Sequence, residues 1–408
     1  MSRILGIITE YNPFHNGHLY HLEKSIERVL PDYTVCVMSG NFVQRGDTSI
    51  VDKWTKTRTA LNYGVDLVIE LPAVYAVSSA ENFAMGAIKI LNSLSKDVTL
   101  SFGSESGDIS ILKEFANILC DEPPEYRSLL SHELKTGISY PKARENALLM
   151  YLNDIRRYAN VLSGSNNILA IEYLKAIIKL KSKIIPITVK RKSVDYNSLD
   201  TVDGFASATA IRKMIQTGED IEEFLPEESY KIISEQIKRG KIVPGLSTFE
   251  KEIIYALRKM SVEQIAQIAD VSEGLENRIK DASNSCNNLE DLISMIKTKR
   301  YTMSRLQRIL IYTMLGITKK DITDSYTARP YLRVLGCNQR GKILLSEVKH
   351  SNRNVKIVSS VKRFMDKNNN RVLKNMLEKD ILTSNIYTLG YEYDSQANLD
   401  YTEKLIIV

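Results

Sequence analysis

Ile4-Leu5-Gly6-Ile7-Ile8-Thr9-Glu10-Tyr11-Asn12-Pro13-Phe14-His15-Asn16-Gly17-His18-Leu19-Tyr20-His21 is the stretch from which the rest of the chain is read. A β-rich apolar run from Ile4 to Ile8 stops at a turn marked by Asn12-Pro13, and a helical pattern starts near Gly17. Strand, turn and helix in that order bring a helix N-terminus to a nucleotide phosphate, because unpaired backbone N–H groups and the helix dipole both favour an anion. Two histidines three apart on a first helical turn share a face. The glycine between them is expected to let a ligand approach the backbone closely. Three of the chain's five histidines, His15, His18 and His21, fall inside seven residues. Solvated histidines and Asn-Pro turns are common, so the position after a first strand is what favours nucleotide chemistry.

At 408 residues two or three domains are expected. With 43% hydrophobic and 25% charged residues, real cores can be buried. A net charge of +6 is mildly basic and suits a polyanionic partner without establishing one. Cys36, Cys120, Cys286 and Cys337 lack C-x-x-C spacing, which supports neither a zinc site nor a disulfide framework. No charged leader precedes an apolar run and no apolar window approaches 18 residues, so a cytoplasmic protein with no membrane association is expected.

From residue 1 to about 215, β-like runs alternate with helical ones, the pattern of right-handed crossovers on a parallel sheet. Strands are expected at Ile4–Thr9, Tyr33–Met38, Val65–Leu71, Val98–Phe102 and Ile184–Val189. Helices are expected near Leu19–Leu30, Lys53–Tyr63, Ala80–Leu94 and Asn167–Leu180. Loops after the strands should converge on one pocket, since open parallel sheets bind ligands beyond the carboxyl ends of their strands. Among them Phe42–Asp47 is a lid, a binding loop or a solvated turn. Gly103 either admits adenine or ribose against the backbone or is a turn glycine. After Ser163-Gly164, one of Asn166 and Asn167 caps a helix and the other contacts base or ribose. Lys190-Arg191 holds a phosphate or is a solvated basic pair.

The second motif is Ser207-Ala208-Thr209-Ala210-Ile211-Arg212-Lys213. Arg212 sits in a first helical turn, where the dipole disfavours a cation. That placement makes sense if hydroxyls, N–H groups and a guanidinium together hold a polyphosphate; otherwise this is an ordinary capped helix. Gly218 ends the helix, and Lys238–Gly245 reads as a linker. Helical periodicity then covers Thr248–Ile268 and Leu275–Ile296, with strand-like pieces at Tyr331–Leu335, Val355–Ser359 and Ile381–Leu389. The expected organisation is 1–220 for the nucleotide-binding domain, 221–245 for a connection and 246–408 for a C-terminal region. Between Asp291 and Asp321 no acidic residue occurs, whereas Lys297, Lys299, Arg300, Arg305, Arg308, Lys319 and Lys320 are positive. A one-sided run favours a phosphate backbone; docking on an acidic surface of the same protein is the competing account.

His15-Asn16-Gly17-His18 and Ser207-Ala208-Thr209-Ala210-Ile211-Arg212 resemble the paired motifs of the HxGH nucleotidyltransferase superfamily. Longer runs resemble one bacterial family within it, the tRNA(Met) cytidine acetate ligases: Glu10 to His21, Met38 to Gly46, Phe102-Gly103-Ser104-Glu105, Asn166-Asn167-Ile168-Leu169, and Lys297 to Thr302. The family usually has Pro before the Asn pair, where this chain has Ser165. The resemblance implies an α/β fold, a Rossmann-like nucleotidyltransferase domain with a parallel sheet followed by a mainly helical α+β C-terminal region. It implies that ATP, with Mg²⁺, and acetate give acetyladenylate, and that the wobble cytidine of elongator tRNA(Met) takes the acetyl group on N4. His15, His18, Thr209 and Arg212 would act on the phosphates. The ATP site would comprise the run from Ile8 through Thr9, Glu10, Tyr11, Asn12, Pro13, Phe14, His15, Asn16, Gly17, His18, Leu19 and Tyr20 to His21, with Gly103, Asn166, Asn167, Arg191, Ser207, Thr209 and Arg212. Lys297, Lys299, Arg300, Arg305 and Arg308 would meet tRNA, and no protein metal site is expected. Two alternatives remain: adenylylation of another small acceptor, and a non-catalytic RNA-binding protein.

Overall fold

The structure is a computed structural model and describes residues 2–94, 96–154, 158, 161–162, 164–191, 204–272 and 274–408. Ser163 lies outside the described residues.

The continuous apolar run at the start forms β1 (Arg3–Thr9), flanked on both sides by parallel strands. Its Ile4, Leu5 and Ile7 are buried, as expected for a strand covered on both faces. Next come β2 (Tyr33–Ser39), a hairpin of β3 (Phe42–Val43) and β4 (Asp47–Thr48), and β5 (Leu67–Leu71). They are followed by β6 (Asp97–Ser104), β7 (Ile185–Lys190), β8 (Leu332–Cys337), β9 (Ile357–Val358) and β10 (Ile406–Ile407). The large sheet runs β10-β8-β5-β2-β1-β6-β7, with β9 on β8. Its five strands β5-β2-β1-β6-β7 are mutually parallel, and β8 joins β5 antiparallel. From β1 the chain builds outward to β2 and β5, then returns to add β6 and β7 on the other side. That reversal opens a crevice at the carboxyl ends of β1 and β6, where a ligand is expected in such a sheet.

One sheet face packs on helices Ala80–Ser93, Ile109–Asp121 and Ser165–Lys179, through Phe83, Ile88, Phe115 and Ile171. The other face packs on helix Asn16–Val29 through Leu22, against Leu5, Ile7 and Met38. A separate helical core, built around Leu257, Ile279, Leu292, Ile309 and Leu310, follows residue 245. The sheet is not confined to the first 220 residues, because β8, β9 and β10 extend its β5 edge. The expected strand Ile381–Leu389 is instead part of helix Arg371–Tyr387. Locally it is rich in β-formers, but Leu373, Met376, Leu377, Asp380, Ile381, Ser384 and Tyr387 are buried at helical spacing, and that longer period wins. No helix among the described residues is long and apolar enough to cross a membrane.

Candidate active site

At the crevice the chain turns from β1 into helix Asn16–Val29 through a tightly tethered loop. Asn12 is buried; its amide donates to Thr48 O at 2.9 Å and its Oδ1 accepts from Ile50 N at 2.7 Å, tying the loop to the β3–β4 hairpin. Lys56, also buried, donates to three carbonyls, Glu10 O (3.0 Å), Ser39 O (2.8 Å) and Gly40 O (2.7 Å). It draws the ends of β1 and β2 together, and burial lowers its ammonium to about 8.

His15 caps the helix: its Nδ1 accepts from Gly17 N at 3.0 Å, and His18 Nδ1 accepts from His15 N at 3.3 Å. The two rings stack with centroids 3.8 Å apart. A ring nitrogen that accepts carries no proton, so each neutral ring holds its proton on Nε2, as a donor. Burial, helped by the charges of Arg191 and Arg212, pushes His15 down to about 3. Burial also lowers His18, with His15, Arg191 and His21 adding to the effect. His21 is lowered to about 4 by burial and Arg191, and its Nε2 lies 3.2 Å from Ser101 Oγ on β6. The cradle therefore presents neutral donors, with Arg191 and Arg212 as its cations. Gly17 serves the cap: a Cβ there would lie 2.8 Å from His15 Cε1 and 3.0 Å from its Nδ1. Glycine at this position makes room for the capping ring and also lines the cavity.

Helix Ala208–Thr217 meets the loop end-on. Ser207 caps it by accepting from Ala210 N at 3.0 Å, and Arg212 donates to Asn12 O at 2.9 Å and Thr209 Oγ1 at 3.3 Å. From the far side, Arg191 Nη1 lies 3.5 Å from Asn166 Oδ1. Asn166 is held by Glu105, which accepts from its Nδ2 (2.7 Å) and N (3.1 Å), and from Asn167 N (2.8 Å).

The three histidines, Asn166, Arg191 and Arg212 line one cavity of about 590 Å³, within the range of nucleotide-sized sites. Of the expected ATP residues, Ile8, Thr9, Glu10, Tyr11, Asn12, His15, Gly17, His18, Tyr20, His21, Gly103, Asn166, Arg191 and Arg212 line it. Phe14 turns into the core and stacks on Tyr63 with centroids 5.0 Å apart, and Leu19 packs beside it. Asn16 donates to Gly204 O and Glu223 O. Pro13, the capping Ser207 and Thr209 are not on the cavity wall, although Thr209 touches Arg212. Asn167 is fully buried and accepts from Glu105 N and Ser106 N, so it clasps the loop after β6 and is not on the cavity wall. Neither asparagine caps its helix; that position is Gly164.

The sequence reading missed Glu105, whose carboxylate sits on the first N–H groups of helix Ser165–Lys179, the position where a dipole favours an anion. It also missed Tyr140, Arg144, Thr302 and Ser304 on the cavity wall. Phe42–Asp47 is a clamped hairpin and no lid. Gln44 N donates to Glu10 at 2.7 Å, and Gly46, at φ +83°, lies so close to helix Met303–Leu315 that a Cβ would be 2.5 Å from Arg308 N. Of the five expected tRNA contacts, Lys297, Lys299 and Arg300 are exposed. The other two are used inside the protein. Arg305 donates to Asp270 O at 2.8 Å and Ser272 at 2.7 Å, and buried Arg308 pairs with the Asp270 carboxylate at 3.0 Å. Arg308 also lines the cavity, which brings the basic segment to the same site as the histidines.

The family model for the HIGH nucleotidyl transferases matches residues 2–402. A tRNA(Met) cytidine acetate ligase of Thermoanaerobacter sp. (strain X514) is 48% identical over 405 residues, covering 99% of both chains. That of Acetivibrio thermocellus is 43% identical over 416 residues, with both chains wholly covered. The crystal structure of apo Thermotoga maritima TmcAL matches with a TM-score of 0.94 at 33% identity, covering 100% of this chain and 99% of that one. The form bound with alpha-thio ATP matches with a TM-score of 0.91 at 34% identity and the same coverage. By its whole-length match and by the HxGH cradle that the fold assembles, this chain belongs to the HIGH nucleotidyl transferase family and, within it, to the tRNA(Met) cytidine acetate ligases.

Proposed function

We propose that the chain is an ATP-dependent ligase that activates acetate as acetyladenylate and transfers the acetyl group to N4 of the wobble cytidine of elongator tRNA(Met). The observation that carries this reading is the convergence of His15, His18, Arg191 and Arg212 on one cavity at a helix N-terminus. Three kinds of group meet there that bind a polyphosphate: N–H donors, a helix dipole and two guanidinium ions. An acetate oxygen attacks the α-phosphorus, the bond to the bridging oxygen breaks, and pyrophosphate leaves. Negative charge grows on the phosphoryl oxygens and the leaving group, and donors already in place lower that barrier. His15 and His18 donate from Nε2 to the α- and β-phosphates, and Arg212, steadied by Thr209, holds the departing pyrophosphate. Cytidine N4 then attacks the acetyl carbonyl, AMP departs, and N4 releases one proton. No side chain forms a covalent bond.

Mg²⁺ brought by the nucleotide would be held through its phosphates and would offset their negative charge. Lys297, Lys299 and Arg300 are exposed, shortly before Thr302 and Ser304 of the cavity wall, and suit the tRNA backbone. Residues 1–220 supply the ATP cradle, 221–245 the connection, and 246–408 the tRNA-facing half. A tRNA substrate places the enzyme in the cytoplasm. The test is acetate-dependent ATP–pyrophosphate exchange, followed by mass spectrometry of tRNA nucleosides after incubation with ATP and acetate. Exchange that proceeds equally with unrelated carboxylates, or tRNA without N4-acetylcytidine, would overturn the assignment.

A further inference from the structure

One stretch of the cavity wall is not part of the phosphate cradle. Tyr140, Pro141, Arg144 and Glu145 all lie on it. They belong to the first turns of helix Tyr140–Leu152, where positions four apart share a face. Arg144 is pinned by buried Glu172, at 2.7 Å, and Glu172 is also bonded to Lys175 at 2.7 Å, which locks this helix to Ser165–Lys179. The wall continues from Lys175 to Glu81, 3.9 Å away, and to Ser79. Ser79 and Glu81 follow β5, on one side of β1, whereas Gly103 at the end of β6 and Arg191 after β7 lie on the other. Glu172 also lies six residues beyond Asn166, about 9 Å along the helix at the usual rise. This stretch of wall is therefore made by residues other than the His15, His18, Arg191 and Arg212 cradle and other than Gly103 and Asn166.

Tyr140 is 53% exposed, and among the described residues it is the one exposed large apolar side chain on the cavity wall. Phe83, Phe102, Tyr11 and Tyr173 also reach the wall but are at least nine-tenths buried within the fold, and Tyr20, partly buried, stands beside the histidines on helix Asn16–Val29. A base whose exocyclic amine must reach an acyl phosphate inside a cavity leaves its stack, and proteins replace the lost stacking with an aromatic face. Resting on the acetyl-transfer reading above, we propose that Tyr140 is the platform on which the acceptor cytosine stacks in the second half-reaction. The exposed ring stands on the cavity wall, on a helix start that the Arg144–Glu172 pair ties to its neighbour.

The two half-reactions give separate readouts. Wild type, Tyr140→Ala and Tyr140→Phe are compared in acetate-dependent ATP–pyrophosphate exchange without tRNA, and in kcat/KM for acetylation of the tRNA transcript. Tyr140→Ala should keep wild-type exchange, which also reports an intact fold, and lose about tenfold or more in kcat/KM for tRNA, the range expected for one lost base–aromatic stack. Tyr140→Phe should acetylate like wild type, because the ring and not the hydroxyl is used. Wild-type tRNA acetylation by Tyr140→Ala, an equal loss in exchange, or an equally impaired Tyr140→Phe would each overturn the stacking role. Absence of acetate-dependent exchange in the wild-type protein would instead overturn the reaction itself, and the platform with it.

Discussion

Gly17 shows how much of this site rests on single atoms. In a helix interior, replacing glycine with alanine ordinarily stabilises by about 1 kcal/mol. Here the new Cβ would lie 2.8 Å from His15 Cε1, so the capping ring must move. Gly17→Ala should destabilise the fold by about 1 kcal/mol, the value of an N-cap. It should lower exchange by roughly 100-fold, as a displaced donor misses the phosphate. A urea titration and exchange kinetics check both, and a stabilised, active alanine variant would contradict the cap. The same histidines make the protein sensitive to acid. In the folded chain His15 is lowered to about 3 and His21 to about 4 by burial, whereas both titrate near 6.5 when unfolded. Between those limits the unfolded chain binds more protons, so stability is complete above about pH 6.5 and falls as pH drops towards 4. Thermal melts between pH 7 and 4.5 should show this slope, and His21→Gln should flatten it. Equal slopes would place the acid sensitivity elsewhere.

Helix Ser165–Lys179 begins without a side-chain cap of its own, and a carboxylate from the loop after β6 takes that place. Glu105 satisfies the N–H groups of Asn166 and Asn167 and fixes the Asn166 amide, which touches Arg191. Glu105→Ala should cost about 1–2 kcal/mol of stability. It should also raise KM for ATP in exchange more than it lowers kcat, because a freed Arg191 weakens binding. Unchanged KM in the folded variant would mean that Arg191 is positioned by other contacts. Nothing in the local sequence marks Glu105 for this role. Its partners lie some 60 residues away, and only the pairing of β6 beside the helix start brings them together. Helix Arg371–Tyr387 gives the opposite lesson: its period was present in the sequence, but the window Ile381–Leu389 was too short to reveal it.

Across the whole molecule, the C-terminal half is joined to the catalytic sheet. β8 pairs with β5, and buried Lys53 holds Glu70 at 2.9 Å and Asp400 at 2.7 Å, linking strand, helix and tail. The clamped Gly46 hairpin and Arg308 bring the basic segment to the cavity in the same way. On the proposed reaction, Lys299→Glu with Arg300→Glu should weaken tRNA binding and acetylation while exchange without tRNA survives, since both side chains are exposed. Each lost phosphate contact should flatten the log–log salt dependence of tRNA binding by about 0.7–0.9. A folded double variant with unchanged affinity and slope would move the tRNA footprint elsewhere.

The parallel sheet, the strand–turn–helix start, the two motifs and the acid-free run were all legible in the chain. Each is a local property: apolar period, a cap or breaker, or a charge imbalance is written within a dozen or so neighbouring residues. Those properties were enough to single out His15, His18 and Arg212, whose motifs lie at the ends of regular elements, whereas Arg191 stayed open between a phosphate contact and a solvated pair until the resemblance was added. The division of labour among neighbours was not legible. Whether Arg308 is exposed or paired with Asp270, whether Asn167 lines the cavity or clasps a loop, and whether Gly17 makes room for His15 besides lining the cavity depend on how the chain packs. A buried polar group must find partners wherever the fold places them. For those residues only the packed chain assigns the role.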